Sequence, residues 1–492
     1  MQLSVMRVRW FPVIIITLIV TLILLEHLLP TAGKKTLDGV VIPQHNRQSP
    51  DKSLPNIPDA YFGSEMKAVK PTKQKKCARF PELLDLKFSN NIWQIQETSI
   101  GTLQLLNAYL DDREFGQYAV WPFSKNFFTV RIVGMLDRVN SRKQLYCRMW
   151  YDSNESVLVK GELFWIWKKE WDVIDAFQPY LISCKTPDDR IPMSVSLVEN
   201  KCDYPTNNLK IYYEKMYKKW DFVVCVKGLN FPFEDKSTRL VEWLELVFLL
   251  GASKVHFYQF SVHPNIQKVL NYYTQKGTIE VTHLSLAGHF SNSPLMRNKF
   301  LQERKVERRL QEVIPFNDCL YKYLHKTRYI VSLDIDEVIV PKTGTWSELM
   351  VTLQERNSDL SSYLARNVYF FDQLETDLDQ IPPYVHMLKH VRRAVEYSKP
   401  GDYVKGFHDT TKVVALYNHI SLWCYSWLGC DNHNIDVELA QLQHYRGDCV
   451  KDLINCDDLK QNTVLDRRLW HFKDILINQV NQTLSFLEMI DL

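Results

Sequence analysis

The 492-residue chain has almost no charge imbalance: 60 Lys and Arg stand against 57 Asp and Glu, for a formal net charge of +3. That excludes the basic surface on which nucleic-acid binding rests, so no nucleic-acid partner is expected. The ten cysteines (Cys77, Cys147, Cys184, Cys202, Cys225, Cys319, Cys424, Cys430, Cys449 and Cys456) include no CxxC, and their scattered spacing lacks the signature of a zinc site. An internal repeat is also missing, which excludes a solenoid, and there is no low-complexity tract. What is there is ordinary globular material, 46% hydrophobic and 24% charged, long enough for two or three domains.

The N-terminus departs from that average. Arg7 and Arg9 precede an apolar stretch from Trp10 to Leu29, interrupted by Glu26 and His27. About twenty such residues span a bilayer as a helix. A cleaved signal peptide would have a core of about 7–15 residues and a small-residue cleavage site, for which only Thr31-Ala32-Gly33 offers itself. The expectation is therefore a cytosolic tail over 1–9 and a transmembrane anchor over 10–29, with the remaining chain lumenal because basic residues stay on the cytosolic side. A short span suits the thinner membranes of the early secretory pathway, which points to a single-pass type II protein of the Golgi membrane. The sequons at Asn154 and Asn481 agree with lumenal exposure as glycosylation sites. In an oxidising lumen the cysteines form disulfides mixed with buried free thiols. Cys225, inside the apolar run 222–226, is assigned to the core, and pairs among Cys424, Cys430, Cys449 and Cys456 would be local in sequence.

Residues 30–76, with five prolines between 31 and 76 among polar residues without a sustained apolar period, read as an extended stem. From 77 to 208 short strand-forming runs (127–136, 144–151, 156–167, 193–198) alternate with turn signals, which predicts a β-rich, sandwich-like domain. Trp165, Trp167 and Trp171 offer either a sugar-stacking platform or plain core filling. Beyond 209 strand and helix alternate: strand 222–226, helix 240–250 stopped by Gly251, strand 254–260, helix 265–276, strand 278–284, then helical segments up to Lys326. Alternation of this kind predicts a mostly parallel sheet covered on both faces, with ligands beyond the carboxyl ends of its strands.

One such end is chemically distinctive. In RYIVSLDIDEVIVP (328–341) a buried-strand run stops at three carboxylates, Asp334, Asp336 and Glu337. Strand geometry lets Asp334 and Asp336 point one way and Ile335 and Glu337 another. A pair of this kind can grip a hard divalent cation that keeps positions free for phosphate oxygens, so the chemistry predicted is metal-dependent transfer with Mn2+ or Mg2+. A solvated acidic turn is the plain alternative.

WLELVFLLGASKVHFYQ (243–259), NDCLYKYLHKTRYIVSLDIDEVIVP (317–341), TTKVVALYNHIS (410–421) and QLQHYRGDC (441–449) together resemble glycosyltransferase family 92, over roughly 220–448. The resemblance implies an α/β GT-A catalytic domain over 209–492, Rossmann-like with a mostly parallel sheet, an inverting mechanism and a UDP-sugar donor. The whole chain is similar to vertebrate-type members that transfer galactose from UDP-galactose in β-1,4 linkage to terminal β-galactose on glycoprotein N-glycans. Other members use the core fucose of N-glycans instead. By position, Asp336 would ligate the metal, Asp334 would meet the ribose or the metal's water shell, and His444 would complete the coordination. Lys412 and Arg446 would face the diphosphate, Val226, Lys227 and Tyr258 the base, and Asn317 and Asp318 the ribose. An inverting transfer also needs a carboxylate base, for which Asp372, Asp431 and Asp436 stand unranked between the metal motif and His444. Two rivals use the same residues: a DxDxV phosphatase, whose motif normally opens its domain, and a catalytically silent lumenal glycan-binding protein. A homo-oligomer is compatible with the sequence, which does not specify one.

Overall fold

The computed structural model describes residues 56–62, 79–113, 128–139, 143–167, 176–374, 381–426, 428–449 and 456–490. The expected tail at 1–9 and anchor at 10–29 lie outside them, as does nearly all of the stem. Among the described residues no helix is long and apolar enough to cross a membrane. Residues 52–492 form one compact unit.

The first half is β1 (Phe88–Ser89), β2 (Trp93–Thr98), β3 (Gly101–Asp111), β4 (Thr129–Leu136), β5 (Leu145–Trp150), β6 (Ser156–Trp165), β7 (Gln178–Lys185), β8 (Ser194–Val198) and β9 (Leu209–Tyr212). The expected sandwich is corrected here to a closed barrel. Strands run in the order β3-β4-β7-β6-β5-β8-β9, and β9 returns to pair in parallel with β3 at Ala108↔Ile211 and Tyr109↔Tyr212. Besides pairing with β4 along most of its length, the long β3 holds β2 along its first half and β9 near its end. Closure removes the open edges that a sandwich leaves. Leu105, Ile132, Leu145, Cys147, Ile182 and Leu197 fill the interior. β3, β4 and β7 are buried on both faces, because Leu106, Val133 and Leu181 point outward into a second core shared with the following domain. This is why 132–136 reads as a run without polar side chains.

The second half begins with β10 (Trp220–Phe231), α1 (Ser237–Leu250), β11 (Lys254–Val262), α2 (Pro264–Gln275), β12 (Ile279–His283), α3 (Pro294–Glu303), α4 (Lys305–Tyr323) and β13 (Thr327–Leu333). Its α/β alternation forms as expected. α1 ends at Gly251, whose φ of +120° lets its N–H turn back to the Phe248 carbonyl. β12, β11, β10 and β13 lie parallel.

After β13 the pattern changes. β14 (Glu337–Pro341), α5 (Trp346–Arg356), β15 (Ser362–Ala365), β16 (Asn367–Phe371), β17 (Arg392–Ala394), β18 (Lys405–Asp409), β19 (Val413–Tyr417), β20 (Ile420–Cys424), β21 (Asn432–Asn434), β22 (Ala440–Arg446), α6 (Cys456–Gln461), β23 (Thr463–Leu465) and α7 (Lys473–Phe486) follow. β18 joins β13 antiparallel and carries β15 and β21, which makes the seven-stranded sheet mixed. β14, β22, β16, β17 and β23 form a separate five-stranded sheet, and β19 and β20 a hairpin. The mostly parallel α/β GT-A architecture is thus overturned in favour of a closed barrel joined to mixed sheets, while the expected anchor at 10–29 falls outside the described residues. From β14 onward the strands are short and pair mostly antiparallel, with β15–β21 and β16–β22 the parallel exceptions.

Disulfides join Cys147–Cys184 inside the barrel, Cys225–Cys319 between β10 and α4, Cys424–Cys430 and Cys449–Cys456. The last two are sequence-local as expected, whereas buried Cys225 is bridged rather than free, and no described cysteine is a free thiol. Trp167 is buried edge-on against Tyr417, a core role; Trp171 lies outside the described residues.

Candidate active site

The acidic motif sits where both sheets of the second half meet. β13 ends at Leu333, residues 334–336 turn, and the Glu337 N–H closes the turn on the Asp334 carbonyl before β14 starts. Val226 pairs with Leu333 across β10 and β13, so Lys227 comes level with Asp334. A register break after Val226 aims β10 into a cleft of about 680 Å3. Lys227 Nζ is 3.1 Å from Asp334 Oδ2, and Lys405 Nζ, fully buried, is also 3.1 Å from it. Burial by itself would raise the Asp334 carboxyl, but these two ammonium groups hold it well below the ordinary carboxylate range. Lys405 also reaches Glu337 Oε2 at 3.0 Å.

His444 enters from β22, which lies between β14 and β16 and places it opposite Glu337 on one side and Tyr369 on the other. Its Nδ1 is 3.0 Å from Asn367 Oδ1 and 3.2 Å from Glu337 Oε1, and its ring stacks on Tyr369. Both partners of Nδ1 are acceptors, so Nδ1 carries the proton and Nε2 presents a lone pair toward the cleft. Asp336 Oδ2 lies 3.5 Å from that nitrogen. A hydrogen-bonded pair would be closer, whereas two donors around one cation stand about this far apart. Asp334 Oδ1, Asn418 Oδ1 and His419 Nδ1 are buried without hydrogen-bond partners. Burial, with Lys405 and Lys227 nearby, pushes the His419 imidazole well below its ordinary value and keeps it neutral. Unsatisfied buried polar atoms around an acidic pair fit a site completed by a divalent ion and a polar ligand.

Asp372, which also lines the cleft, directly follows β16, and its N–H bonds the carbonyl of Arg446, two residues beyond His444. His386 Nε2 is 3.2 Å from Asp372 Oδ1, and Arg239 Nη2 is 3.6 Å from Oδ2. Burial would raise this carboxyl, but His386 and Arg239 bring it down to about 2, so it is ionised. The loop bearing His386 is clasped from α1: the Glu242 carboxylate accepts the backbone N–H groups of His386, Met387 and Leu388 at 2.6, 2.8 and 3.3 Å.

Residues 220–485 match the family model described as Glycosyltransferase family 92. The chain belongs to glycosyltransferase family 92. No curated protein matches it. Family membership makes it a glycosyltransferase, acting on a sugar donor and an acceptor, and the matched residues contain every side chain of the cleft just described.

Of the residues singled out in the sequence, Val226, Lys227, Asp334, Asp336, Asp372, His444 and Arg446 share this cleft. Others lie elsewhere. Tyr258 and Asp318 are fully buried against the barrel, where the Asp318 carboxylate accepts from Tyr258, Tyr109 and Asn107. The Asn317 side chain bridges the Val313 and Leu416 backbone. Lys412 pairs at the surface with Asp359. Asp431 and Asp436 are exposed outside the cleft lining. Asn154 is exposed in the β5–β6 turn, while Asn481 lies within α7 and accepts from Tyr384. Sequence reasoning missed Lys405, Glu337, Arg239, Glu242 and His386. Glu337 was visible in the motif itself, and the HMLKH spacing of 386–390 was a signal left unread.

Proposed function

We propose that this glycosyltransferase moves galactose from UDP-galactose, with inversion and in β-1,4 linkage, to a terminal β-galactose on glycoprotein N-glycans in the Golgi lumen. The observation that carries the reading is that one cleft is lined by Asp336 and His444, which face each other at 3.5 Å, and by the ionised Asp372. Disulfides throughout the described residues support an oxidising compartment.

Asp336 Oδ2 and His444 Nε2 would hold Mn2+ or Mg2+, which supplies charge neutralisation for the departing diphosphate. Asp334, pinned by Lys227 and Lys405, stays ionised and is oriented to accept from the ribose. Lys227 and Arg446, which line the cleft together with Lys236, Arg239 and Arg308, would face a diphosphate bound there. Asp372 takes the proton of the acceptor hydroxyl as that oxygen bonds to the anomeric carbon and UDP leaves with the electrons of the broken C–O bond. His386 and Arg239 orient the Asp372 carboxylate, and the Glu242 clasp fixes His386.

The test is a screen of the purified chain with Mn2+ against UDP-galactose and other UDP-sugars, on acceptors ending in Galβ1-4GlcNAc beside core-fucosylated ones. Product on the first acceptor, lost with EDTA and in Asp336→Ala, supports the assignment. Product only on core fucose replaces the acceptor, and product only from another UDP-sugar replaces the donor.

A further inference from the structure

A second group of donor atoms stands in the cleft wall, apart from Asp336 and His444. One oxygen or nitrogen from each of Asp372, His386 and His390 falls within 4.8 Å of the others. Asp372 Oδ1 and His386 Nε2 face each other at 3.2 Å, yet both are buried and neither makes an aligned hydrogen bond. The His386 and His390 rings lie 4.2 Å apart between centroids, at an angle of 54° rather than stacked. His390 Nδ1 is 2.7 Å from the His386 carbonyl, an acceptor, so the ring proton resides there.

Two imidazoles, one with its tautomer fixed by a carbonyl, and one carboxylate make a borderline-soft donor set. The buried Glu242 carboxylate holds the backbone beneath His386, so the loop is preset rather than gathered by the ion. Arg239 is the one opposing charge among the described contacts of Asp372, and it sits on Oδ2, leaving Oδ1 to the cluster. We infer that Asp372, His386 and His390 form a second metal site that takes Zn2+-class ions and, when filled, blocks transfer by capturing the Asp372 carboxylate. The binding stands on its own geometry, whereas the inhibition rests on the proton-accepting role of Asp372 given above. The hard, carboxylate-rich Asp334–Asp336 side and this imidazole-rich side would sort Mn2+ and Zn2+ between them.

The experiment uses the full, metal-stripped chain and Zn2+ itself, read by competition with a chromogenic zinc indicator. Asp336→Ala, which removes the first site, is expected to retain one tight zinc equivalent. Adding His390→Gln to that background is expected to weaken it more than tenfold. His390→Asn, whose amide still donates to the His386 carbonyl, is the companion variant, and thermal unfolding verifies that each is folded. With saturating Mn2+, zinc should inhibit transfer by the unmodified chain, while His390→Gln keeps its basal rate and resists. No tight zinc in Asp336→Ala, or equal binding with and without His390 in folded variants, overturns the site. Zinc binding that depends on His390 without inhibition keeps the site and removes the role of Asp372. If no sugar is transferred at all, the indicator measurement alone decides.

Discussion

Two buried polar regions of this molecule use similar residues and treat them in opposite ways. At the seam between barrel and second half, the Asp111 carboxylate takes Arg113 at 2.8 Å, Arg131 at 3.2 Å and the Tyr425 hydroxyl at 2.7 Å. Asp318 takes Asn107, Tyr109 and Tyr258, and none of these side chains has a buried polar atom without a partner. In the cleft, Asp334, Asp372 and His386 each keep such an atom. A fully satisfied network is architecture, closed to further partners. An unsatisfied one costs stability and is retained where a ligand completes it.

The comparison is sharpened most by mutating its two ends. Asp336→Ala should reduce transfer by on the order of a thousandfold, about 4 kcal/mol of charge stabilisation. Thermal unfolding should show its melting temperature unchanged. Asp111→Asn leaves two buried guanidinium groups without a counter-charge and should cost about 3–5 kcal/mol, read by denaturant unfolding. An Asp111 variant that kept full stability would break the distinction.

Acid provides a third test. Burial alone would raise the Asp111 carboxyl, but Arg113 and Arg131 hold it well below its ordinary 3.8. The unfolded chain therefore binds this proton first, so the contribution is complete above about pH 4 and is lost as pH falls further. Unfolding free energy measured at descending pH should fall less steeply in Asp111→Asn than in the unmodified chain. Of smaller effect, Asn367→Ala releases His444 Nδ1 and should weaken Mn2+ by about 10–100-fold in a titration of transfer rate, with recovery at saturating metal. Smallest of all, Lys412→Ala should shift stability by less than about 0.5 kcal/mol and leave the rate unaltered, because its Asp359 partner is 86% exposed.

The same contrast explains what the sequence made legible. A strand running into carboxylates is a local signal, and Asp334, Asp336, Lys227 and the late His444 all arrive at one cleft. The helices and parallel strands from β10 to β13 were legible because their periods are local too. Tyr258, Asn317 and Asp318 were assigned to the donor because they flank strand ends in that local pattern. Their partners, Asn107, Tyr109 and Leu416, lie about a hundred or more residues away, and only those partners make them part of the seam. Barrel closure was hidden for the same reason, since a sandwich and a barrel share their strand alternation and differ in whether β9 meets β3. Lys405 escaped notice because its place at the start of an ordinary strand, KGFHD, gives no hint of the two carboxylates it joins.

The position of His444 on β22 sets a schedule for the nascent chain. When Asp336 is joined to the chain, 108 residues up to His444 remain to be made, a delay of roughly 5–20 s at about 5–20 residues per second. Through that interval the barrel and the parallel strands can fold, but β14 has no β22 to pair with and the ion has half its ligands. The growing polypeptide is therefore catalytically inert until almost its last ordered strand is in place, and any truncation ahead of β22 yields a protein that holds a barrel without an enzyme.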